Sequence, residues 1–291
     1  MEDVEIRKSL AAGEMNHRAI DEHVEELSYI SPSRIDTFQG CSMLYYFRYV
    51  LGMKRRPGAT LLRGSAVHES VEKNALSRIE TGEALPRDEV QDIAAQSFTR
   101  RVVEEDPELK QGDNLGAIKD ATVRLATLHY DAVAPQSTPL HAEAPFTMEW
   151  GDGPPIEGYV DLVSQNPDGS VQVDEVKTAV NARTTRDKYL NKVQVPVYLA
   201  AFNQIAGATK AVVSVLSEKN LKRGTVNTVV RHELAGGDIN LPRIKLACAQ
   251  LMGALRSHVF GPANPSYFLC SQKWCGFHQD NDGPCPFGRK T

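Results

Sequence analysis

Three residues near the middle of the chain have types and spacing suited to chemistry on a phosphate. Asp161 sits in "GYVDLV", and Glu175 and Lys177 sit in "VDEVKTA", with thirteen residues and an "NPDG" turn between the two acids. That turn signal between β-branched runs predicts a hairpin. Its paired strands would bring the acids close together at one end of a sheet. Two carboxylates and the backbone carbonyl of Val176 make a hard oxygen donor set of the kind Mg²⁺ or Mn²⁺ takes, with positions left for water and a phosphate oxygen. Glu175 and Lys177, two apart on one strand, point to the same face. The lysine can therefore orient or deprotonate an attacking water and offset developing negative charge. Asp174 is the odd neighbour and is expected to face away. Taken alone, an acid-x-lysine run equally describes a solvated strand edge.

Further candidates lie on helices. His68, in "RGSAVHE", falls in the first turns of a helix that begins near a glycine, and Gln194 and Tyr198, in "QVPVY", lie four apart on one helix face. By themselves these residues also fit packing or hydrogen-bonding roles. Glu143 precedes Asp161 on the preceding strand as a supporting acid. Five cysteines complete the inventory: Cys41, Cys248, Cys270, Cys275 and Cys285. The acidic start lacks the basic and apolar order of a signal peptide, and no apolar run is long enough to span a bilayer, so the expectation is a cytoplasmic protein. There, cysteines are better read as metal ligands or buried thiols than as disulfides.

The elements that must position these groups follow from the pattern. Residues 1 to 28 read as an appended helix or arm. "FQGCSMLYYFRYV" reads as an amphipathic helix with Cys41 in its first turn, capped at Ser31 or Ser33 around Pro32. A helical stretch from about 62 to 135 is broken at "GEALPRDE" and "EEDPELKQGDN". Short β-branched runs between about 140 and 235 make a mixed sheet, interrupted by a helix capped near Thr184 or Thr185 and closed by Gly207. One more amphipathic helix precedes an irregular tail from about 262 to 291 that needs a staple. The fold class is therefore α/β (α+β), a central mixed sheet flanked by helices. At 291 residues and 41% hydrophobic content the chain has a real core, and a net charge of −4 excludes a global basic field. Local clusters at "MKRRPG", Arg63, "EKNLKRG" and the terminal "GRK" would meet phosphates, and Tyr45, Tyr46 and Tyr49 could stack on bases.

Five motifs in order, "SPSRIDTFQGC", "RGSAVHE", "GYVDLV", "DEVKTA" and "QVPVY", resemble the RecB-like branch of the PD-(D/E)xK nuclease superfamily, over roughly residues 29 to 288. The resemblance implies a restriction-endonuclease-like core with a helical insertion, forming one nuclease domain over 29–291. His68, Asp161 and Glu175 match its metal-binding positions, Lys177 its catalytic lysine, and Gln194 with Tyr198 the pair that supports DNA or the lysine. It implies Mg²⁺- or Mn²⁺-dependent phosphodiester hydrolysis, with single-stranded DNA ends as substrate. The iron-sulfur exonucleases of this branch, of AddB, CRISPR-associated and phage type, are similar in carrying one early and three late cysteines. Cys41, Cys270, Cys275 and Cys285 fit that layout and imply a 4Fe-4S cluster stapling the tail. Their spacing alone leaves a closed zinc site equally open, and Cys248 reads as a buried thiol. The rival expectation is a catalytically idle DNA-binding or adaptor module of a recombination or CRISPR-adaptation complex.

Overall fold

A computed structural model describes residues 3–151, 153–179, 186–221, 224–264, 267 and 269–288. The expected cap at Thr184 or Thr185, the basic pair at 222 and 223 and the terminal basic residues lie outside the described residues. In chain order the elements are α1 (Asp3–Ala11), α2 (His17–Glu26), α3 (Pro32–Gly40), α4 (Ser42–Tyr45), a π-helical turn (Tyr46–Val50), α5 (Ala59–Thr81), α6 (Arg87–Glu105), α7 (Leu115–Ala132), β1 (Thr138–Met148), β2 (Ile156–Gln165), β3 (Val171–Ala179), α8 (Arg186–Leu190), α9 (Gln194–Ala206), β4 (Lys210–Leu221), β5 (Gly224–Ala235) and α10 (Leu241–Ser257). They fall into two compact units. One comprises residues 56–146 and 158–240, the other residues 1–55, 147–157 and 241–291.

The five strands form one mixed sheet in the order β1-β2-β3-β4-β5. The β2–β3 and β4–β5 pairs are antiparallel, while β3–β4 is parallel with Glu175 beside Val213 and Lys177 beside Val215. The hairpin turn is the predicted one: Gly169 adopts φ +86°, and Asn166 and Ser170 close it with a backbone bond of 2.8 Å. On one face Leu162, Val176 and Leu216 pack against Val67, Val71 and Ala75 of α5 and Leu125 of α7. Val173 and Glu175 point the opposite way, and α9 runs against β3 and β4. α9 ends at Gly207 with φ +66°, as expected. β1 starts at Thr138, close to the expected start of the strand region at about 140. Pro139, Pro145 and Glu143, which takes φ +46°, interrupt its alternation.

In the other unit, Ser31 caps α3 by accepting the Arg34 N–H, with Pro32 at the first helical position. The expected continuous helix over residues 38–50 is corrected here. Cys41 is extended, φ −164° and ψ 107°, and ends α3 before α4 begins. Tyr45 and Tyr46 are buried and pack against Phe260, at centroid distances of 6.4 and 5.3 Å, while Phe47 stacks on Phe277 at 5.2 Å. These rings form the core of the unit. Tyr45 and Tyr46 are therefore not free to stack on bases.

Candidate active site

The β2–β3 register ends at Leu162 opposite Asp174, so the next step places Asp161 opposite Glu175. There the ladder changes partner: the Val176 N–H donates to Asp161 Oδ2 at 2.7 Å, which fixes the carboxylate against the strand. Glu175 is only 2% exposed, its Oε1 pairs with the Lys177 ammonium, and its Oε2 is buried with no hydrogen-bond partner. His68, on α5, brings Nδ1 to 3.3 Å from Asp161 Oδ1. The helix can approach this closely because of Gly64, where an added Cβ would stand 3.2 Å from Thr178 Oγ1. The helix itself starts at Ala59, after Gly58, so His68 lies in its third turn rather than at its start.

The four side chains set one another's charge. Burial raises the Glu175 carboxyl to about 7, and the neighbouring Asp161 charge adds to the rise. For Asp161, burial is outweighed by His68 and the Val176 N–H, and the acid is held below its ordinary range. His68 is raised in turn, because Asp161 and Glu175 overcome its burial. Glu175 and Asp161 likewise overcome the burial of Lys177 and hold it above the usual lysine value. Asp174 faces the other side of the strand, as expected. It is also buried, which raises it to about 6 against hydrogen bonds from Ser164 and Gln172.

Gln194 donates to the Tyr198 hydroxyl at 2.9 Å across one helical turn. The buried phenol is raised first by burial and then by the charges of Glu175, Asp161 and Glu143, which places this pair beside the acids. Glu143 is raised by burial, Asp161 and Glu72. Glu72, Glu143, His68 and Lys177 share a cleft of about 560 Å³ with Leu61, Gly64, Ser65, Glu69, Lys73, Arg101 and Thr178. Sequence reasoning missed Glu72, although it lies four residues beyond His68 on the same face. It also missed Arg101, on α6, which no local pattern connects to the site. A third omission is His129 of α7, fully buried and lowered to about 4 by burial and the nearby His68.

The predicted cysteines are also brought together. Cys41, Cys270, Cys275 and Cys285 are free thiols of one unit. Cys41 is raised by burial and by Cys270, and Cys275 by burial, Cys41 and Cys270. Cys285 reaches about 12 through burial and the other three. Cys248 is raised to about 12 by burial, with no cysteine contributing. The tail around the thiols is tightly built: a Cβ at Gly283 would stand 2.3 Å from the Phe277 carbonyl carbon, and Ser42 and Gly261 exchange hydrogen bonds of 2.9 and 2.8 Å. Among the described residues no group of three or more His, Cys, Asp or Glu side chains already converges as a metal cage. The donor chemistry nevertheless fits the two expected kinds of group: an orphaned, buried carboxylate oxygen on Glu175 for a hard cation, and four mutually felt thiols for iron or zinc.

The basic clusters are in part corrected. Arg63 is 8% exposed and lies inside the unit near Glu218, so it is not a surface phosphate contact. Arg55 pairs with Asp3, and Arg56 pairs with Asp106 at 3.0 Å.

The mixed sheet presents two acids and a lysine at one end of a hairpin. The model of the PD-(D/E)XK nuclease superfamily matches residues 29–279, and the chain belongs to that superfamily. A solved structure from Eubacterium rectale named "Putative exonuclease" shares the fold, with 13% identity and a TM-score of 0.54 over 87% of this chain and 88% of that one. A second, SSO0001, aligns over 94% of each chain at 13% identity and a TM-score of 0.39. No curated protein matches the chain significantly. Among the described residues no helix is long and apolar enough to cross a membrane.

Proposed function

We propose that the protein is a Mg²⁺- or Mn²⁺-dependent exonuclease acting on single-stranded DNA ends, with residues 29–291 as its nuclease domain. The observation that carries this reading is the convergence of Asp161, Glu175, His68 and Lys177 around a buried carboxylate oxygen that has no partner. Asp161, Glu175, His68 and the Val176 carbonyl would hold the cation. When bound, the cation supplies Lewis-acid polarisation of the phosphate and a more acidic water. Asp161 is pre-oriented by the Val176 N–H. Lys177, kept charged by Glu175, presents a fixed ammonium that orients the attacking water and offsets charge on the phosphate oxygens. Tyr198, braced by Gln194, closes the α9 side of the acids and limits their hydration.

Cys41, Cys270, Cys275 and Cys285 would carry a structural 4Fe-4S cluster. Three of them are half-buried and Cys285 is buried, and as thiolates they would repel one another, a charge that a bound metal would stabilise. Such an enzyme would serve DNA recombination, phage DNA processing or CRISPR adaptation. A comparison of linear and circular single-stranded DNA in Mn²⁺ tests the reading. Stepwise loss of the linear strand alone is expected. Equal cutting of the circle would overturn the exonuclease assignment, and survival of both substrates would overturn the nuclease assignment.

A further inference from the structure

The cleft runs along one face of α5, and its two ends differ. Leu61, Gly64, Ser65, His68, Glu69, Glu72 and Lys73 follow helical spacing along a stripe of roughly 18 Å. This stripe is longer than a single phosphodiester needs. Beyond His68 in the C-terminal direction α5 contributes Glu69, Glu72 and one lysine, Lys73, with Glu143 beside Glu72. In the N-terminal direction it carries Ser65 and Leu61, which is 63% exposed. Arg101 enters from α6, where Phe98 and Val102 pack against Leu62 and Ala66, and its guanidinium reaches Glu69, one residue past His68.

Arg101 is an arginine with spare donors. Its Nε is buried without a hydrogen-bond partner. Its terminal nitrogens make long contacts, 3.4 Å to Glu69 and 3.3 Å to the solvent-facing Glu105. Glu69 is held more tightly elsewhere, accepting from Ser97 at 2.7 Å and Arg100 at 2.7 Å. Glu69 thus aims Arg101 along the cleft wall without saturating it. A guanidinium with unused planar donors beside a phosphodiester centre matches the oxygens of a second phosphate.

We infer that Arg101 grips the phosphate neighbouring the scissile one, on the α6 side of the cleft, with Ser65 as an added donor. The cleft then takes a nucleotide chain of at least two phosphates, and its cationic hold lies on one side of the cut. This inference rests on the nuclease reading for the position of the cut. Helix α6 carries none of the five motifs, so the grip is a feature of the helical insertion.

The test compares wild type, Arg101→Ala, Arg101→Lys and, as a control on the same helix, Arg87→Ala, in Mn²⁺ for hydrolysis and in Ca²⁺ for binding of a single-stranded oligonucleotide. Arg101→Ala should raise the oligonucleotide KM about tenfold, the size of one lost charge-assisted contact. The slope of log affinity against log salt should fall by about 0.7. Its loss on bis(4-nitrophenyl) phosphate, which has no neighbouring phosphate, should be about tenfold smaller than its loss on the oligonucleotide. Arg101→Lys should recover the salt slope but only part of the KM. Arg87→Ala, whose pair with Asp131 is exposed and outside the cleft lining, should leave KM within about twofold. Equal losses on both substrates, or an unchanged salt slope, would overturn the grip. If wild type hydrolyses neither substrate but Arg101→Ala still lowers the salt slope of binding, the nuclease reading fails and the phosphate contact stands.

Discussion

The acid-bearing hairpin and the cysteine-bearing tail hold reactive side chains by opposite means. In the hairpin, a regular ladder runs up to Leu162 and Asp174, and just past its end the backbone N–H of Val176 locks the Asp161 carboxylate in place. In the tail, among the described residues, there is no ladder beyond an isolated bridge between His278 and Cys285. Close backbone approaches that admit no side chain, at Gly283 above all, shape it instead. Regular secondary structure therefore supplies geometry from the backbone alone, whereas the tail depends on tight irregular packing and, under the proposed function, on a group held by its thiols. Damage to the hairpin acids should abolish chemistry and spare the fold. Damage in the tail should do the reverse.

The largest expected effect is at the hairpin. Lys177→Ala should lower DNA hydrolysis by about 10²–10³ or more, the scale for losing a preorganised charge at the reacting centre, with an unchanged circular dichroism spectrum. His129 supplies a pH test of the same unit. Its folded value of about 4 lies below the ordinary 6.5, so the unfolded chain binds the proton first. Stability is full above pH 6.5 and is lost as pH falls toward 4, by about 3 kcal/mol in total. Urea melts between pH 7 and 4 should show this slope, and it should flatten in His129→Gln.

In the tail, Gly283→Ala should cost about 1–3 kcal/mol by overpacking on the Phe277 backbone, read as faster proteolysis of residues 262–288 with the hairpin chemistry retained. Cys41→Ala should loosen the same segment and remove the visible absorbance of a cluster. An unchanged digestion pattern would break the contrast between the two regions. The smallest effect is at Glu143, whose φ of +46° is strained for a residue with a side chain. Glu143→Gly should raise stability by up to about 1 kcal/mol while lowering activity, a pairing that thermal melts and initial rates resolve together.

The hairpin was legible in the sequence because its signals are local. "NPDG" sets the turn, a period of two sets the faces, and the spacing of Asp161 and Glu175 sets the meeting point. Gln194 and Tyr198 were equally legible, four apart on a helix. The break at Cys41 was not, since the surrounding apolar pattern continues through it and only the packing of α3 and α4 as separate helices requires an extended residue there. Arg63 looked like a surface cation because charge is read from residue type, and its burial near Glu218 depends on how α5 packs against β4. Arg101 lines the cleft and His129 lies near Asp161, both from helices distant in sequence, and no short window contains that information. The family resemblance drew the four cysteines together on paper. The structure adds that they lie within one another's electrostatic reach while Cys248 does not.

The most direct measurement is the release of nucleotides from end-labelled single-stranded DNA in Mn²⁺ by wild type and by Lys177→Ala, prepared in parallel and shown to melt alike. Degradation by wild type and near-complete loss in the variant is the result predicted here. Equal degradation by the two proteins would contradict the assignment of the Asp161, Glu175 and Lys177 hairpin as the hydrolytic centre.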